Sequence, residues 1–219
     1  MSGFADYEVV ELLLSLGTPR KDCKLQAKEA LKKFKTLRGV LSASTEELQQ
    51  IKGIGSLSAF GIKLMQDVAR AYLKEQIIET PYMQSSQAIY EYLYHSMRDL
   101  KNEVFKVIYL NSQNQILDTA DLVEGTVNSA VIVPRQIVEQ ALAHHAVGLV
   151  FAHNHPSGNC EPSKSDKDIT GDMVFAGGTV IKILDHLIIG NNLYFSFEGE
   201  GLICQYEMDF LGLKMRGGG

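Results

Sequence analysis

With 219 residues, 45% of them apolar, the chain can build ordinary globular cores in one domain or two. Its 26 acidic and 21 basic residues leave a formal net charge of −5, which speaks against strong nucleic-acid binding along the whole chain. No apolar run approaches the ~18 residues of a membrane span, and no signal-like segment opens the sequence, so a soluble, unexported protein without a membrane partner is expected. Three scattered cysteines, Cys23, Cys160 and Cys204, argue against a disulfide framework.

Residues 1–79 read as a small, all-α domain. Val9-Val10 and Leu12-Leu13-Leu14 give a first helix its apolar face. Residues 20–38 concentrate eight Lys and Arg against only Asp22 and Glu29. Such a cluster can attract phosphates, yet a Lys-rich helix over 25–34 equally suits a solvated face. Residues 48–59, Leu-Gln-Gln-Ile-Lys-Gly-Ile-Gly-Ser-Leu-Ser-Ala, resemble a helix-hairpin-helix. A helix over 45–51, capped by Ser44 or Thr45, turns through Gly53-Ile54-Gly55 into a second helix running to about Leu73. Glycines let a backbone approach a ligand closely, and amides opening a helix can receive a phosphate. The resemblance implies contact between DNA phosphates and Gly53, Ile54 and Gly55, within residues 44–73. The alternative is a compact turn with Ile51, Ile54 and Leu57 in the core.

Thr80-Pro81 marks a boundary, because proline biases the residue before it away from helix. Residues 82–204 then mix helices and strands. The pattern regains helical character near Ser86 and predicts a helix over 91–100, strands over 104–110 and 115–122, and a helix over 135–145 opened by Pro134. An apolar strand over 147–152 follows, then a helix after Ser163 and short strands over 179–184, 186–189 and 193–197. Gly190-Asn191-Asn192 is a hairpin signal between the last two. This mixture implies an α/β or α+β sheet domain. Residues 205–219 are left as a C-terminal tail.

The chemistry concentrates at His153-Asn154-His155-Pro156-Ser157-Gly158, followed by Ser163 and Asp166. Side chains at i and i+2 of a strand share a face, so His153 and His155 point together at the strand's end, where Pro156 stops the ladder. Two imidazoles and a carboxylate suit a catalytic zinc, which keeps its fourth position open. Ser163-x-x-Asp166 is also a helix capping pattern, and Asp166 could serve the helix N-terminus alone. The two readings are compatible. Cys160 is conceivable as a fourth ligand and reads more simply as a reduced loop cysteine. His144 and His145 end a helix, His95 lies at the surface or between helices, and His186 reads as a supporting residue near the site.

His-x-His-Pro-x-Gly with Ser-x-x-Asp resembles the JAMM signature of the JAB/MPN metalloprotease fold. Residues 155–163, together with Leu184-Asp185-His186-Leu187-Ile188, resemble more narrowly the bacterial RadC family, whose members carry the label of DNA repair proteins. The resemblance implies a cytidine-deaminase-like, three-layer mixed-sheet domain and a cytoplasmic location. It also implies zinc-dependent hydrolysis of a peptide or isopeptide bond in a protein or peptide substrate. The JAMM pattern needs a glutamate about fifty residues before the histidines, and Glu103, where a helix runs into the first strand, fits that place. Glu124 competes but falls in a Gly-containing loop at the wrong spacing. In the family the serine of Ser-x-x-Asp steadies the oxyanion, and Ser163 holds that position. The principal rival is a DNA-binding or DNA-processing repair or recombination accessory protein, with the hairpin carrying the function and the metal site acting as a nuclease. Nucleases commonly bridge two metals about 3.5–4 Å apart with several carboxylates, whereas one ligand carboxylate and one base are found here. An inactive scaffold is a third reading, opposed by the intact ligand set.

Overall fold

The computed structural model describes residues 3–124, 132–178 and 180–217. The chain divides into two compact units, one up to Tyr72 and one from Leu73 onward.

In the first unit, α1 (Asp6–Gly17), α2 (Lys24–Phe34), α3 (Leu37–Ser42), α4 (Thr45–Gln49) and the start of α5 (Ser56–Ile77) surround one core. Val10, Leu13 and Leu14 of α1 meet Ala27 and Ala30 of α2, Val40, Leu48, and Ala59 and Ile62 of α5. Helix ends are set by side chains: Thr36 accepts from the Gly39 amide, and Ser44 with Glu47 forms a capping box. Helices α1 and α5 approach closely because two glycines allow it. A Cβ on Gly17 would run into the Leu57 backbone, and one on Gly61 would lie 2.7 Å from the Leu13 carbonyl oxygen. Of the three residues named for the compact turn, Ile51 and Ile54 are buried, but Leu57 is 66% exposed. Ala59 and Ile62 take the inner face of α5, and helical spacing turns Leu57 away from it.

The second unit is a three-layer arrangement around a mixed sheet. After a 3-10 turn at Tyr82–Gln84 come α6 (Ser86–Met97), β1 (Val104–Leu110), β2 (Ile116–Glu124), α7 (Pro134–Ala143) and β3 (Gly148–Asn154). They are followed by α8 (Lys164–Gly177), β4 (Lys182–Ile189), β5 (Tyr194–Ser196) and α9 (Leu202–Gly217). The strand order is β2-β1-β3-β4-β5, antiparallel except for β3 and β4. That parallel pair needs a crossover, which α8 supplies. Every residue of β1 and β3 is buried, as expected for central strands covered on both faces. Phe105, Val107, Tyr109, Leu149, Phe151 and Ile183 pack against α7, α8 and Ile203 of α9. Val104, Ile108, Val150, Ala152 and Leu187 face the end of α5 and α6.

Three expectations change. The helix expected from near Ser86 and over 91–100 is α6, which ends at Met97 rather than at Leu100. The separate strands over 179–184 and 186–189 are one strand, β4, beginning at Lys182; residue 179 lies outside the described residues. A polar Asp185-His186 pair reads as a break, yet a register shift opposite Leu149 and Val150 carries the strand through it. The buried Asp185 carboxylate accepts from the His186 and Glu198 amides, the Ser196 hydroxyl and the Tyr82 hydroxyl. Finally, α9 runs through residues 205–217, left unassigned by the sequence, with Phe210 against Phe175 of α8.

Candidate metal centre

Alternation along β3 sends Leu149, Phe151 and His153 to the α8 face and Val150, Ala152 and Asn154 to the α6 face. His155 follows the last strand residue. Its amide donates to the Ile189 carbonyl at 3.1 Å, tying it to the end of β4. The loop beyond is compact: Gly158, at φ +82°, donates to the His155 carbonyl and accepts from the Asn191 amide. His155 Nδ1 lies 2.7 Å from the Asn159 carbonyl oxygen, which can only accept, so the ring donates there and, when neutral, has its lone pair on Nε2.

Helix α8 brings the carboxylate. Ser163 is its N-cap: the Ser163 hydroxyl oxygen accepts from the Asp166 amide at 3.2 Å, and Asp166 Oδ2 accepts from the Ser163 amide at 2.7 Å. Capping and ligation are therefore not rivals, because the capping box is what aims Asp166. His153 Nε2 and His155 Nε2 lie 3.0 Å apart. Asp166 Oδ1 is 3.2 Å from the first and Oδ2 is 3.4 Å from the second. Each imidazole faces a different oxygen of the carboxylate, and with one donor atom from each residue the three lie within 4.8 Å of one another, close enough to converge on a single small ion. Among the described residues, His153, His155 and Asp166 form a group able to hold a metal ion. Cys160 is not part of it; the residue is half-buried and packs against Gly190 and the α8-side core.

Electrostatics agree with the geometry. Burial opposes ionisation of Asp166, but hydrogen bonds from His153 and His155 hold its carboxyl far below the usual carboxylate range. The hydrogen bond with Asp166 raises His155 against the effect of burial, helped by the Asn159 carbonyl and by the charges of Asp166 and Glu103. Burial drives His186 well below the ordinary imidazole value.

Glu103, half-buried between α6 and β1, lies two residues before Phe105, which pairs with His153 of β3, and near enough to His155 for its charge to raise that imidazole. The structure adds a residue the sequence did not single out. Asn154, fully buried on the other face, accepts from the Val104 amide at 2.8 Å and donates to the Asn102 carbonyl at 3.1 Å. It thus clamps the backbone on both sides of Glu103. Its position in the strand signals a buried amide, but nothing local names the partners. Glu124, expected in a loop, instead pairs with Val104 at the end of β2; its side chain lies outside the described residues.

His186 lies beneath His153, with its Nε2 2.8 Å from His153 Nδ1 and its Nδ1 2.7 Å from the Thr170 hydroxyl. Phe105, Phe151 and Phe197 surround the ring. The remaining histidines lie elsewhere: His144 stacks on Tyr109, and His95 meets Tyr94 edge-on. In the first unit, Gly53 adopts φ +95°, and a Cβ there would come 2.6 Å from Gln26 Nε2. The Ile54 amide is taken by the Ile51 carbonyl, and Gly55 has open space around it. Beside this hairpin, Lys32, Lys33, Lys35 and Lys52 line an open depression with Glu29.

Residues 83–202 match the family described as RadC-like JAB domain. The chain is 38% identical over 200 residues to the UPF0758 protein PSHAa2643 of Pseudoalteromonas translucida (strain TAC 125), covering 91% of this chain and 89% of that one. It is 36% identical over 211 residues to the UPF0758 protein FN0909 of Fusobacterium nucleatum subsp. nucleatum, covering 93% and 91%. The His-x-His strand end, the capped Asp166 and these similarities together place the chain in the RadC family, with a RadC-like JAB domain as its second unit.

Proposed function

We propose that this chain is a zinc-dependent hydrolase of peptide or isopeptide bonds. The supporting observation is the convergence of two imidazole nitrogens and one carboxylate, with contacts of 3.0–3.4 Å, at the C-terminal end of the central strand β3. Bound there, zinc supplies a Lewis acid and brings the pKa of water towards about 7. His153, His155 and Asp166 would hold it, and three protein ligands are the set found in catalytic rather than structural sites. Glu103 takes the proton of the attacking water and passes it to the leaving amine, a role worth about 10²–10⁴-fold in rate. Ser163, whose oxygen accepts as the helix cap, has its hydroxyl hydrogen to give to the developing oxyanion.

The test starts with elemental analysis of purified, tag-free protein supplied with zinc. About one zinc per chain is expected, lost in a His153→Ala/His155→Ala variant. Glu103→Ala should keep the zinc and lose turnover of linear and isopeptide-linked peptides. Folded protein that takes up no zinc would overturn the reading, and turnover surviving Glu103→Ala would remove that residue from it.

A second reading concerns DNA. The four lysines beside the Gly53 hairpin favour phosphate contact through residues 44–73, without sequence readout. Reversing Lys32, Lys35 and Lys52 to Glu should weaken salt-sensitive DNA binding and leave zinc content unchanged. Unaltered affinity in a folded variant would remove the hairpin reading. Among the described residues there is one candidate metal group with a single carboxylate, which gives a two-metal nuclease no support.

A further inference from the structure

Beneath His153 runs a chain of three hydrogen bonds whose direction is settled by counting hydrogens. Thr170, fully buried, has one hydroxyl hydrogen, and 2.6 Å away lies the Asp166 backbone carbonyl, which can only accept. The hydrogen goes there. Towards His186 Nδ1, at 2.7 Å, the Thr170 oxygen is therefore an acceptor, and Nδ1 carries the ring's proton. A neutral ring protonated at Nδ1 is an acceptor at Nε2. That nitrogen faces His153 Nδ1 at 2.8 Å, so His153 donates from Nδ1. In the neutral form that a metal binds, His153 then has its lone pair on Nε2, the atom that faces His155 and Asp166.

We propose that His186 and Thr170 are positioning residues of the metal centre, which set the tautomer and the ring orientation in which His153 offers Nε2 to the ion. The proposal rests on the zinc reading above. A metal-bound histidine usually donates its other ring N–H to a carboxylate, a carbonyl or water. Here the acceptor is a second imidazole held between phenylalanine rings, itself oriented by a threonine that is anchored to the backbone of another ligand, Asp166. One hydroxyl hydrogen thus links two of the three ligands. Without the Thr170 hydroxyl, His186 Nδ1–H loses its acceptor and the opposite tautomer competes. That tautomer turns His186 Nε2 into a donor, which places the His153 proton on Nε2 and blocks the ligand position.

The experiment measures zinc affinity by competition with a chromophoric chelator, using the full chain. Thr170→Val keeps the side-chain shape and should weaken zinc binding about 10- to 100-fold. Thr170→Ser should restore it. His186→Phe should weaken it similarly, and adding Thr170→Val to His186→Phe should change nothing further. Long-range ¹⁵N–¹H spectra of the metal-free protein supply a readout that packing alone would not move. His153 should carry a proton on Nδ1 in the wild type and in Thr170→Ser, and lose it from Nδ1 in Thr170→Val. Wild-type protein that binds zinc, beside folded Thr170→Val and His186→Phe variants of unchanged affinity, would overturn the proposal alone. Wild-type protein that binds no zinc would overturn the metal reading and this proposal together.

Discussion

Asn154 and His155 stand next to each other and serve opposite faces of the sheet, and each makes its own prediction. Asn154 holds the backbone of residues 102 and 104. Alanine there leaves the buried Val104 amide unpaired, at about 1–3 kcal/mol, and frees Glu103 from its clamp. Asn154→Ala should bind zinc as the wild type does and lose turnover by about 10²-fold, the scale of a misplaced catalytic group. Comparing kcat with zinc content checks this; full kcat at full zinc occupancy would show that the clamp does not matter. For His155 the quantity is pH. In the metal-free protein its hydrogen bond with Asp166 raises it above 6.5, and zinc requires the neutral ring. Apparent zinc affinity should hold above that raised value. As pH falls through it, protons compete, and affinity should drop about tenfold per pH unit. Zinc titrations across the range would reveal the fall, and a flat profile would contradict it. The residues at the ends of both relationships, the histidines and Glu103, were legible from type and spacing. Asn154 was not, because its partners lie some fifty positions back along the chain.

Helix α8 combines a cap and a site, and substitution can separate them. Ser163→Ala should cost about 1 kcal/mol of stability for the lost cap, whereas Ser163→Gly should cost only a few tenths. Both lose the hydroxyl, so turnover should fall in both. Stability from urea unfolding and kcat would then fail to track each other; if turnover follows stability instead, Ser163 acts as a cap alone. In the helical unit, α1 crosses α5 where Gly17 meets the Leu57 backbone. Gly17→Ala should destabilise this unit by about 1–3 kcal/mol, the usual cost of overpacking, read as a lower urea midpoint. Elements defined by a run of apolar residues or a cap were legible: β1, β3 and the start of α8 lie where periodicity and Ser-x-x-Asp put them. Strand β4 was read as two strands because Asp185-His186 looks like a break. Its partners Tyr82, Ser196 and Glu198 come from other elements, so no local pattern could show that those polar groups are satisfied.

At the scale of the molecule, zinc bound by these three residues is expected to stabilise locally. The three ligands and their supports lie on β3, α8 and β4, all in the second unit. At a free zinc concentration one hundred times Kd, binding adds about 2.7 kcal/mol to the states that hold the ion. Hydrogen exchange should therefore slow in β1, β3, β4 and α8 on zinc addition and stay unchanged in α1 to α4. Equal slowing in the helical unit would mean that the two units share the binding energy. The sequence by itself determined the donors: two imidazoles on one face of a strand end, and an acid three residues after a cap. Those are rules of period two and of one helical turn, complete within a few residues. The tertiary structure alone decided that the donors meet. The parallel pairing of β3 with β4 across α8 carries Asp166 to the histidines, and the pairing of β1 with β3 brings the segment after Glu103 beside His153. The same packing seats His186 and Thr170 under His153. Strand order and register arise from contacts between distant segments, and side-chain alternation within a segment is the same whichever neighbour it pairs with.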